Sequence, residues 1–410
     1  MSLYDKASLV QIPSGYKGGS PNGTLYSVLP ADGDGDFTHT RATSATRVNK
    51  DGLIESVASG VPRLDYPLID GVVQDCPALL LEPTRANSLT NSEDLNSWLK
   101  GSGITITVND MIAPDGNNTA DKIQKTSQNY TFVRQSFTAQ TGVFSIFVKK
   151  GNHRYVGIRN NESNTISHSV FDFDTESFIV SQANRTLSFE KFPNGWYRLI
   201  DYVSVNDSNA FVGICISDSS GNEIGTSIPL NSYIYAWGGQ RESGQTYPTS
   251  YTPTTSSSVT RNADECNSAG TTAEFNDSEG VLFVEFAALA NDLTHRRIAI
   301  SDGTTSNLVY VSFDTASNRI LANANGRIMV YTVSDETEFQ KAAVYYNATA
   351  PKLYVNGVLR ETETAMTAIS GLNELAFDSG TGGNDFYGKV KQVMVFNEAL
   401  TDAELATLTS

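Results

Sequence analysis

Hydrophobic and polar residues alternate along much of this chain with a period of two, the pattern of a pleated β-strand. One clear run follows Asn231, where Tyr233, Tyr235 and Trp237 alternate with smaller residues. Similar runs succeed one another from residue 86 to 258, separated by turn signals such as Pro193-Asn194-Gly195. Many short strands at this spacing predict an antiparallel β-sandwich or jelly roll.

The pattern returns in the last third of the chain, and two short stretches repeat. GVFSIFV begins at Gly142 and GVLFVEF at Gly280, 138 residues later. FDTES begins at Phe173 and FDTAS at Phe313, 140 residues later. These spacings predict two related sandwiches in tandem, with a chance match as the alternative.

The amino-terminal residues have a different pattern. Pro and Gly interrupt the sequence every few positions up to about residue 37, and Ala78–Leu81 is a buried-strand candidate that ends before Pro83. Such a segment cannot bury a core of its own, so we expect it to be ordered by the next domain, a sister chain or a larger assembly. Its removal is expected to leave folded sandwiches.

A second irregular stretch follows the run at Tyr233. It contains Gly238-Gly239, two prolines and the Ser/Thr-rich run Thr252–Thr260, a composition that neither a helix nor a central strand tolerates. We therefore predict that the strand ends at Gly238 and that a flexible connection leads to the second sandwich.

These patterns predict an all-β chain in three parts. Residues 1–85 are the irregular anchoring segment, residues 86–258 the first sandwich and residues 259–410 the second. A short final helix is predicted as well, because Thr401 and Glu404 have the spacing of a capping box.

Charge and composition exclude several classes of function. The chain has 29 Lys and Arg against 45 Asp and Glu, a formal charge of −16, which argues against nucleic acid as a partner. No apolar run has the length of a membrane helix, and the first residues lack the features of a signal peptide. Cys76, Cys215 and Cys266 are widely spaced, so we predict three unpaired thiols, as in a protein that folds in a reducing cytosol.

Three blocks of sequence resemble a group of tailed-bacteriophage virion proteins. FTHTRATSATRVNKDGLIESVASGVPRLDY with CPALLLEPTRANSLTNSEDL resembles their amino-terminal region. NGWYRL and YIYAWGGQRESGQTYPTSYTPTTSSSVTRNAD are similar to the end of their carbohydrate-binding-module-like jelly roll. KLYVNGVLRET and YGKVKQVMVFNEALTDAELATL are similar to their concanavalin A-like, laminin G-like sandwich.

This resemblance implies a virion structural protein of the head-fibre, tail-fibre or decoration kind, made in the cytoplasm of the bacterial host. The amino-terminal segment would bind other virion proteins, and the chain would form a homo-oligomer, a trimer if it is a fibre. The sandwiches would project outward and bind a host-surface glycan, where repetition on the particle turns weak contacts into tight attachment.

The sequence offers little support for catalysis, and we predict no enzyme and no cofactor. Glycosidases on a concanavalin-like sandwich carry Glu-x-Asp-x-Glu along one strand, so that two carboxyl groups face the sugar. That string is absent. Its nearest relative, Asp172 to Glu176, spans a predicted hairpin turn. Glycan adhesion is therefore the first hypothesis for the function, a purely structural decoration role is the alternative, and a polysaccharide depolymerase comes last.

Candidate binding residues follow from the chemistry of sugars, which stack on exposed rings beside polar groups. Trp196 and Trp237 have apolar neighbours and are predicted to fill the core of the sandwich. Four tyrosines lie in more polar surroundings and are the predicted carbohydrate-binding residues: Tyr130, Tyr155, Tyr247 and Tyr251.

Two aspartates at predicted loop tips are candidate ligands for a structural calcium ion. Asp302 precedes a glycine, and Asp378 begins Asp-Ser-Gly. The alternative for both is an ordinary hairpin turn, in which the carboxylate caps backbone amides.

Overall fold

The protein is built almost entirely from antiparallel β-sheet, as the alternation predicts. The computed structural model describes residues 3–13, 24–137, 140–162, 165–203 and 210–410. Neither helix of this described part has the length or apolar character needed to span a bilayer.

The described residues of the amino-terminal segment form one short helix and nine strands. They are α1 (Leu3–Lys6), β1 (Leu9–Gln11), β2 (Thr24–Leu25), β3 (Phe37–Thr40), β4 (Ala45–Val48), β5 (Ile54–Val57), β6 (Arg63–Asp65), β7 (Leu68–Ile69), β8 (Val72–Val73) and β9 (Ala78–Leu81).

The next part is called here the first sandwich, and thirteen strands lie in its described residues. They are β10 (Arg85–Asn87), β11 (Leu99–Lys100), β12 (Ile104–Met111), β13 (Ala120–Lys125), β14 (Phe132–Ser136), β15 (Gly142–Lys150), β16 (Tyr155–Glu162), β17 (Thr165–Asp172), β18 (Ser177–Val180), β19 (Arg185–Phe192), β20 (Trp196–Val203), β21 (Phe211–Ile216) and β22 (Tyr233–Ser243). Short 3-10 turns lie at Leu95–Ser97 and Pro193–Gly195.

The last part, called here the second sandwich, contains twelve strands and one helix. They are β23 (Val259–Arg261), β24 (Glu265–Asn267), β25 (Glu279–Ala288), β26 (Arg296–Ser301), β27 (Leu308–Phe313), β28 (Arg319–Ala324), β29 (Arg327–Thr332), β30 (Gln340–Asn347), β31 (Lys352–Val355), β32 (Val358–Thr362), β33 (Glu374–Ala376), β34 (Gly388–Phe396) and α2 (Asp402–Leu408). Thr401 caps α2 with Glu404 in a capping box, which confirms that prediction.

Two six-stranded sheets form the first sandwich. Their strand orders are β11-β14-β21-β16-β17-β18, called S1, and β12-β13-β22-β15-β20-β19, called S2. Strand β15 shows why they pack face to face. Phe144, Ile146 and Val148 point into the core between S1 and S2, while Phe147 points to the opposite side of S2.

The second sandwich pairs a five-stranded sheet, β29-β28-β27-β26-β33, with an eight-stranded sheet called S3. The order in S3 is β32-β31-β30-β25-β34-β9-β6, and β1 also pairs with β34. Strands β1, β6 and β9 belong to the amino-terminal segment.

The amino-terminal segment is therefore part of the second sandwich, and not a separate irregular piece in front of two complete domains. β9 pairs with one end of β34, and β1 pairs with the other end of the same edge. Leu9, Leu79 and Leu81 lie in the core of the second sandwich, together with Leu25 and Phe37. Ala78–Leu81 is the buried strand that the sequence predicts, but its partner lies about 300 residues away in the chain.

The same segment also covers the outer face of S2. Ile54 packs there against a cluster that includes Phe147, Trp196, Trp237 and Tyr251. The two tryptophans are buried, as predicted, but they lie outside S2 and not between the two sheets of the sandwich. An alternating strand can bury both faces when another segment covers the outer one.

The stretch predicted to be a flexible connection is also packed. Strand β22 continues past Gly238, whose φ of +65° lies near a register shift against β15, so the glycine marks an irregularity and not the strand end. Beyond it, the side-chain amide of Asn87 donates to the backbone carbonyls of Gly239 (3.0 Å) and Thr252 (2.9 Å). Thr249, Thr252 and Thr254 are buried.

A buried group of charged side chains joins the amino-terminal segment to this connection. The group, called here the junction cluster, consists of Arg41, Arg63, Glu82, Arg261 and Asp264, all at most 3% exposed. Nη1 of Arg63 donates to Glu82 (2.6 Å) and Nη2 to Asp264. Nη1 of Arg41 donates to the second oxygen of Asp264 (2.8 Å).

Backbone contacts complete the junction cluster. The Glu82 amide donates to Asp264 (2.9 Å), and the Ser250 amide and hydroxyl donate to Glu82 (2.7 and 2.6 Å). Burial by itself would raise the pKa of Glu82, but Arg261 and Arg63 outweigh it and hold the pKa at about 2. The same balance of burial against Arg63 lowers the pKa of Asp264.

Removing residues 1–85 is expected to prevent the second sandwich from folding cooperatively, because S3 would lose β1, β6 and β9. Circular dichroism and thermal unfolding of the truncated protein measure this. Two point variants of the full chain provide the matched comparison. Leu81→Ala opens a core cavity and should cost about 2–5 kcal/mol, whereas Leu359→Ala, at an exposed position, should cost less than about 0.5 kcal/mol. A truncated protein that unfolds with the full chain's midpoint would contradict the shared core.

Asp264→Asn is expected to lower the free energy of unfolding by about 3–5 kcal/mol at neutral pH, because it leaves buried arginines without a counter-charge. Urea denaturation measures the change, with the exposed Asp51→Asn as control. Because the pKa values of Glu82 and Asp264 are lowered by folding, their contribution is full above about pH 4.5 and is lost as pH falls toward 2. Between about pH 4.5 and pH 2, Asp264→Asn should therefore lose less of its free energy of unfolding than the native protein does. An equal loss in both proteins would contradict the stabilising role of the junction cluster.

Candidate functional site

A cleft of about 620 Å³ lies where the amino-terminal segment and the two sandwiches meet. Strand β19 supplies Glu190 and Phe192, and β34 supplies Lys389 and Lys391. Residues from all three parts of the chain line the remainder, among them Val48, Asp65, Leu68, Glu82, Arg198, Pro248, Ser250, Leu289 and Phe339. Its volume and mixed lining are typical of ligand sites at domain boundaries.

The junction cluster positions this cleft. Glu82 lines the cleft and accepts hydrogen bonds from Ser250, which lines it from the connecting stretch. Arg63 donates to the carbonyl of Thr46 (3.0 Å), another lining residue. The wall of the cleft is therefore held by the contacts that hold the junction.

Four of the charged side chains that line the cleft form two ion pairs. Nζ of Lys389 lies 3.0 Å from Asp65, and Arg198 lies 3.6 Å from Glu190. Burial by itself would lower the pKa of Lys389, but Asp65 outweighs it and raises that pKa. Lys389 therefore stays charged at neutral pH.

One ring in the cleft is half-buried and carries a cation on its face. Nζ of Lys391 lies 4.0 Å from the centre of the Phe339 ring and 3.7 Å from Glu285. A ring bordered by ammonium and carboxylate groups can stack on the apolar face of a sugar while its neighbours bind hydroxyl groups. The arrangement suits binding of a polar, ring-shaped ligand.

Neither Phe339 nor the lysines were among the residues singled out from the sequence. Lys389 and Lys391 stand two positions apart in an alternating strand, so the pattern places them on one face of β34. Nothing local indicates that this face meets the amino-terminal segment.

The predicted tyrosines do not form one site. Tyr130 is 46% exposed, with its ring 6.0 Å from that of Phe132, and lies on the first sandwich away from the cleft. Tyr155 is half-buried beside His153 and beneath Arg154, whose Cζ lies 5.2 Å from the centre of the tyrosine ring.

Tyr247 and Tyr251 are buried, which corrects the expectation that they are exposed. Tyr247 packs under Arg85 (5.1 Å) and its hydroxyl accepts from Arg296 (3.3 Å). The Tyr251 ring lies 4.7 Å from Trp237, and its hydroxyl is hydrogen-bonded to the buried Ser92 and to the half-buried Glu93. Their polar sequence context reflects the buried hydrogen bonds of the connecting stretch.

The two candidate calcium ligands cap their own turns. The Asp302 carboxylate accepts from the Thr304 amide (2.9 Å) and the Asn307 side chain (2.6 Å). The Asp378 carboxylate accepts from the Gly380 amide (2.5 Å). Within the described residues, neither belongs to a group of three metal-ligating side chains.

The carboxylates of the Asp172–Glu176 string also lie around a turn, between β17 and β18. Asp172 accepts two hydrogen bonds from Arg154 (2.8 and 2.7 Å), and that contact lowers its pKa to about 2. Glu176 is paired with Lys191. A glycosidase needs one carboxyl group with a raised pKa, and here the partners hold both in the charged form.

All three cysteines are unpaired, as predicted. Cys76 is exposed, and Cys215 and Cys266 are buried.

Comparison with known proteins finds one family model that matches part of the chain. Residues 282–406 match the family described as the concanavalin A-like lectin/glucanases superfamily (Laminin_G_3). This agrees with the predicted class of the second sandwich. The curated proteins contain no match to the chain.

Several solved structures show a likeness to the chain at low identity. The carbohydrate-binding module CBM40 of Ruminococcus gnavus IT-sialidase, bound to α2,3-sialyllactose, is 15% identical over 33% of this chain and 84% of its own, with a TM-score of 0.28. Domains LG4-5 of the mouse laminin α1 chain are 10% identical over 67% and 89%, with a TM-score of 0.24. Trypanosoma rangeli sialidase in complex with sialic acid is 10% identical over 87% and 62%, with a TM-score of 0.30. At these identities and scores the likenesses establish no function.

Calcium is expected to leave the stability of the protein unchanged, because Asp302 and Asp378 already accept hydrogen bonds from their turns. Thermal unfolding measures this, once with calcium in roughly thousandfold molar excess over the protein and once with EDTA in the same excess. Asp302→Ala serves as the control. It removes a carboxylate that caps the turn, so it should lower the unfolding midpoint by the same amount with calcium and with EDTA. A midpoint raised by calcium in the native protein alone would show a bound ion.

Proposed function

We propose that this protein is a structural component of a tailed-bacteriophage virion and that its sandwiches bind host-surface glycans weakly and in many copies. Three observations support the proposal. The sequence blocks quoted above resemble phage virion proteins, residues 282–406 match a lectin and glucanase superfamily, and a cleft of suitable chemistry lies between the modules.

The cleft carries most of this argument. It combines the half-buried Phe339 ring with Lys389, Lys391 and the carboxylates that pair with them. A neutral sugar offers an apolar ring face and several hydroxyl groups, which such a surface can bind together. The Asp65 carboxylate is paired with Lys389, and a paired carboxylate is a poor general acid, so the proposal is binding and not depolymerisation.

Multiple copies make weak sites useful. A single shallow sugar contact has a dissociation constant on the order of millimolar, and display on a particle raises the overall avidity by about 10²–10⁴. Homo-oligomers anchored to other virion proteins through the amino-terminal segment would provide this display. Strands β1, β6 and β9 fix that segment to the second sandwich, so its remaining surface is the part free to bind a neighbour.

A purely structural role is the second candidate, and one feature favours it. The hairpin of β7 and β8 exposes Ile69 (61%) and Val72 (63%) at the rim of the cleft. An apolar hairpin tip of this kind gains free energy when a capsid or tail protein covers it.

Phe339→Ala is expected to weaken glycan binding about tenfold or more, because the stacking surface is removed. A glycan array and a host-cell binding assay, both with the protein coupled to beads, measure the change. The matched control is Ile179→Ala, which removes an exposed apolar side chain (42%) from β18 of the first sandwich.

The outcomes separate the two candidates. Binding that Phe339→Ala abolishes and Ile179→Ala retains supports adhesion at the cleft. Absence of binding to any glycan or cell overturns adhesion, and labelling of purified particles with antibody against the protein then tests the structural role by itself. Shortening of the glycan chains during incubation would contradict the non-enzymatic proposal.

A further inference from the structure

A second cluster of polar and aromatic side chains lies on the outer face of S1, away from the cleft. It consists of Phe132, Arg134, Arg159, Phe211 and Glu223, and is called here the basic face. The first four come from β14, β16 and β21, and Glu223 comes from the loop after β21. The glycan binding proposed for the cleft does not involve these residues.

Strand pairing brings the two arginines to either side of a glycine. Arg134 pairs with Gly213 across β14 and β21, and Gly213 pairs with Arg159 across β21 and β16. All three face outward, because their neighbours Val133, Ile158 and Val212 lie in the core. A Cβ atom at position 213 would lie 2.1 Å from the Val133 carbonyl oxygen, so only glycine fits between the two arginines.

Two aromatic rings hold both guanidinium groups. The Arg159 Cζ lies 4.0 Å from the centre of the Phe132 ring and 4.8 Å from that of Phe211. The Arg134 Cζ lies 4.0 Å from Phe211 and 5.5 Å from Phe132. Rings at this distance orient the guanidinium planes and leave their N–H groups available at the edges.

The positive charges exceed the negative charge at this face. Nε of Arg159 donates to both oxygens of Glu223 (3.0 and 2.9 Å), while Nη1 of Arg159, which is 2% exposed as a residue, has no hydrogen-bond partner. In the described part of the chain, Arg134 has no carboxylate within ion-pair distance, and its Nε is also unpartnered. Burial, followed by repulsion from Arg159, lowers the pKa of Arg134.

A metal ion is a poorer occupant of this region. His168, Cys215 and Glu223 have ligand atoms within 4.8 Å of one another. However, Arg159 already occupies the Glu223 carboxylate, and burial raises the pKa of the Cys215 thiol well above its ordinary value. A protonated thiol and a carboxylate bonded to arginine do not favour a cation.

We propose that the basic face binds a carboxylate-bearing sugar, with Arg134 and Nη1 of Arg159 as the groups that receive the carboxylate. Guanidinium groups bind carboxylates through two parallel N–H···O bonds, and buried unpaired donors make such a partner favourable. The exposed ring of Tyr130 lies 6.0 Å from that of Phe132, which contacts both guanidinium groups, and it offers the sugar a stacking surface. Tyr130 is thus the sequence-predicted tyrosine with a neighbourhood suited to sugar binding.

This inference rests on the proposed glycan-binding function and narrows it to acidic glycans at a second site. The carboxylate can come from a uronic acid or from a sialic acid, which present the same charge. The chain itself carries a formal charge of −16, so an acidic glycan needs a local excess of positive charge to bind.

Affinity electrophoresis of the full chain in gels that contain one polysaccharide each tests the inference. The probes are polygalacturonate, polysialic acid, dextran and dextran sulfate. Retardation by one or both of the carboxylate polymers is expected, and it should weaken as salt is added. Which polymer retards the protein identifies the source of the carboxylate.

Arg134→Gln is expected to raise the dissociation constant for the carboxylate polymer about tenfold or more, and Arg134→Lys should restore part of the affinity. Arg134 is half-buried and forms no buried ion pair, so both variants are expected to fold, which circular dichroism checks. The matched control is Lys122→Gln, which removes a positive charge from S2 of the same sandwich.

The results separate this inference from the proposed function. Retardation by carboxylate polymers that is lost in Arg134→Gln and kept in both Lys122→Gln and Phe339→Ala supports the basic face. Retardation by dextran alone overturns the basic face and leaves glycan binding at the cleft in place. Equal retardation by dextran sulfate shows binding of any polyanion and overturns the carboxylate site, and no retardation by any polymer overturns both.

Discussion

The structure depends on the burial of three arginines with two carboxylates at the junction of its parts. Arg63 contacts both acids, Glu82 and Asp264, which lie 182 residues apart in the chain. Removing such charges from water costs free energy, and their mutual attraction offsets the cost only if every partner is present. The amino-terminal segment, the connecting stretch and the start of the second sandwich must therefore assemble together.

This constraint explains why a chain with two sandwich patterns behaves as one interlocked unit. An exposed sheet edge invites pairing, and the edge of β34 is covered by β1 and β9 from the other end of the chain. The outer face of S2, which carries Trp196 and Trp237, is covered by the segment between β4 and β7. The segment has no core of its own, yet it completes two apolar surfaces that would otherwise face water.

The two candidate binding sites differ in how the fold makes them. The cleft exists only because three parts of the chain meet, so its shape is coupled to the junction cluster. The basic face is built within one sheet by strand register, with Gly213 between Arg134 and Arg159. In the cleft Lys389 and Arg198 are each paired with a carboxylate, whereas on the basic face Arg134 has no carboxylate within ion-pair distance in the described chain. Electrostatics thus suits the first site to neutral ligands and the second to anions.

The sequence by itself determined the local structure. A two-residue alternation specifies strands whatever they pair with, so the β-class, most strands, the turn at Asp172–Glu176 and the capping box of α2 follow from local chemistry. The exposure predicted for Tyr247 and Tyr251 was wrong because local sequence does not distinguish two cases. A tyrosine whose hydroxyl is bonded to buried partners has the same polar neighbours in sequence as one whose hydroxyl is bonded to water. Only the tertiary structure decided that Ala78–Leu81 joins β34, that the Ser/Thr-rich connection is buried, and that Phe339 and Lys391 face a cleft. Those are pairings between residues far apart in the chain, and the free energy that selects them comes from surfaces and charges that exist only when the distant segments meet.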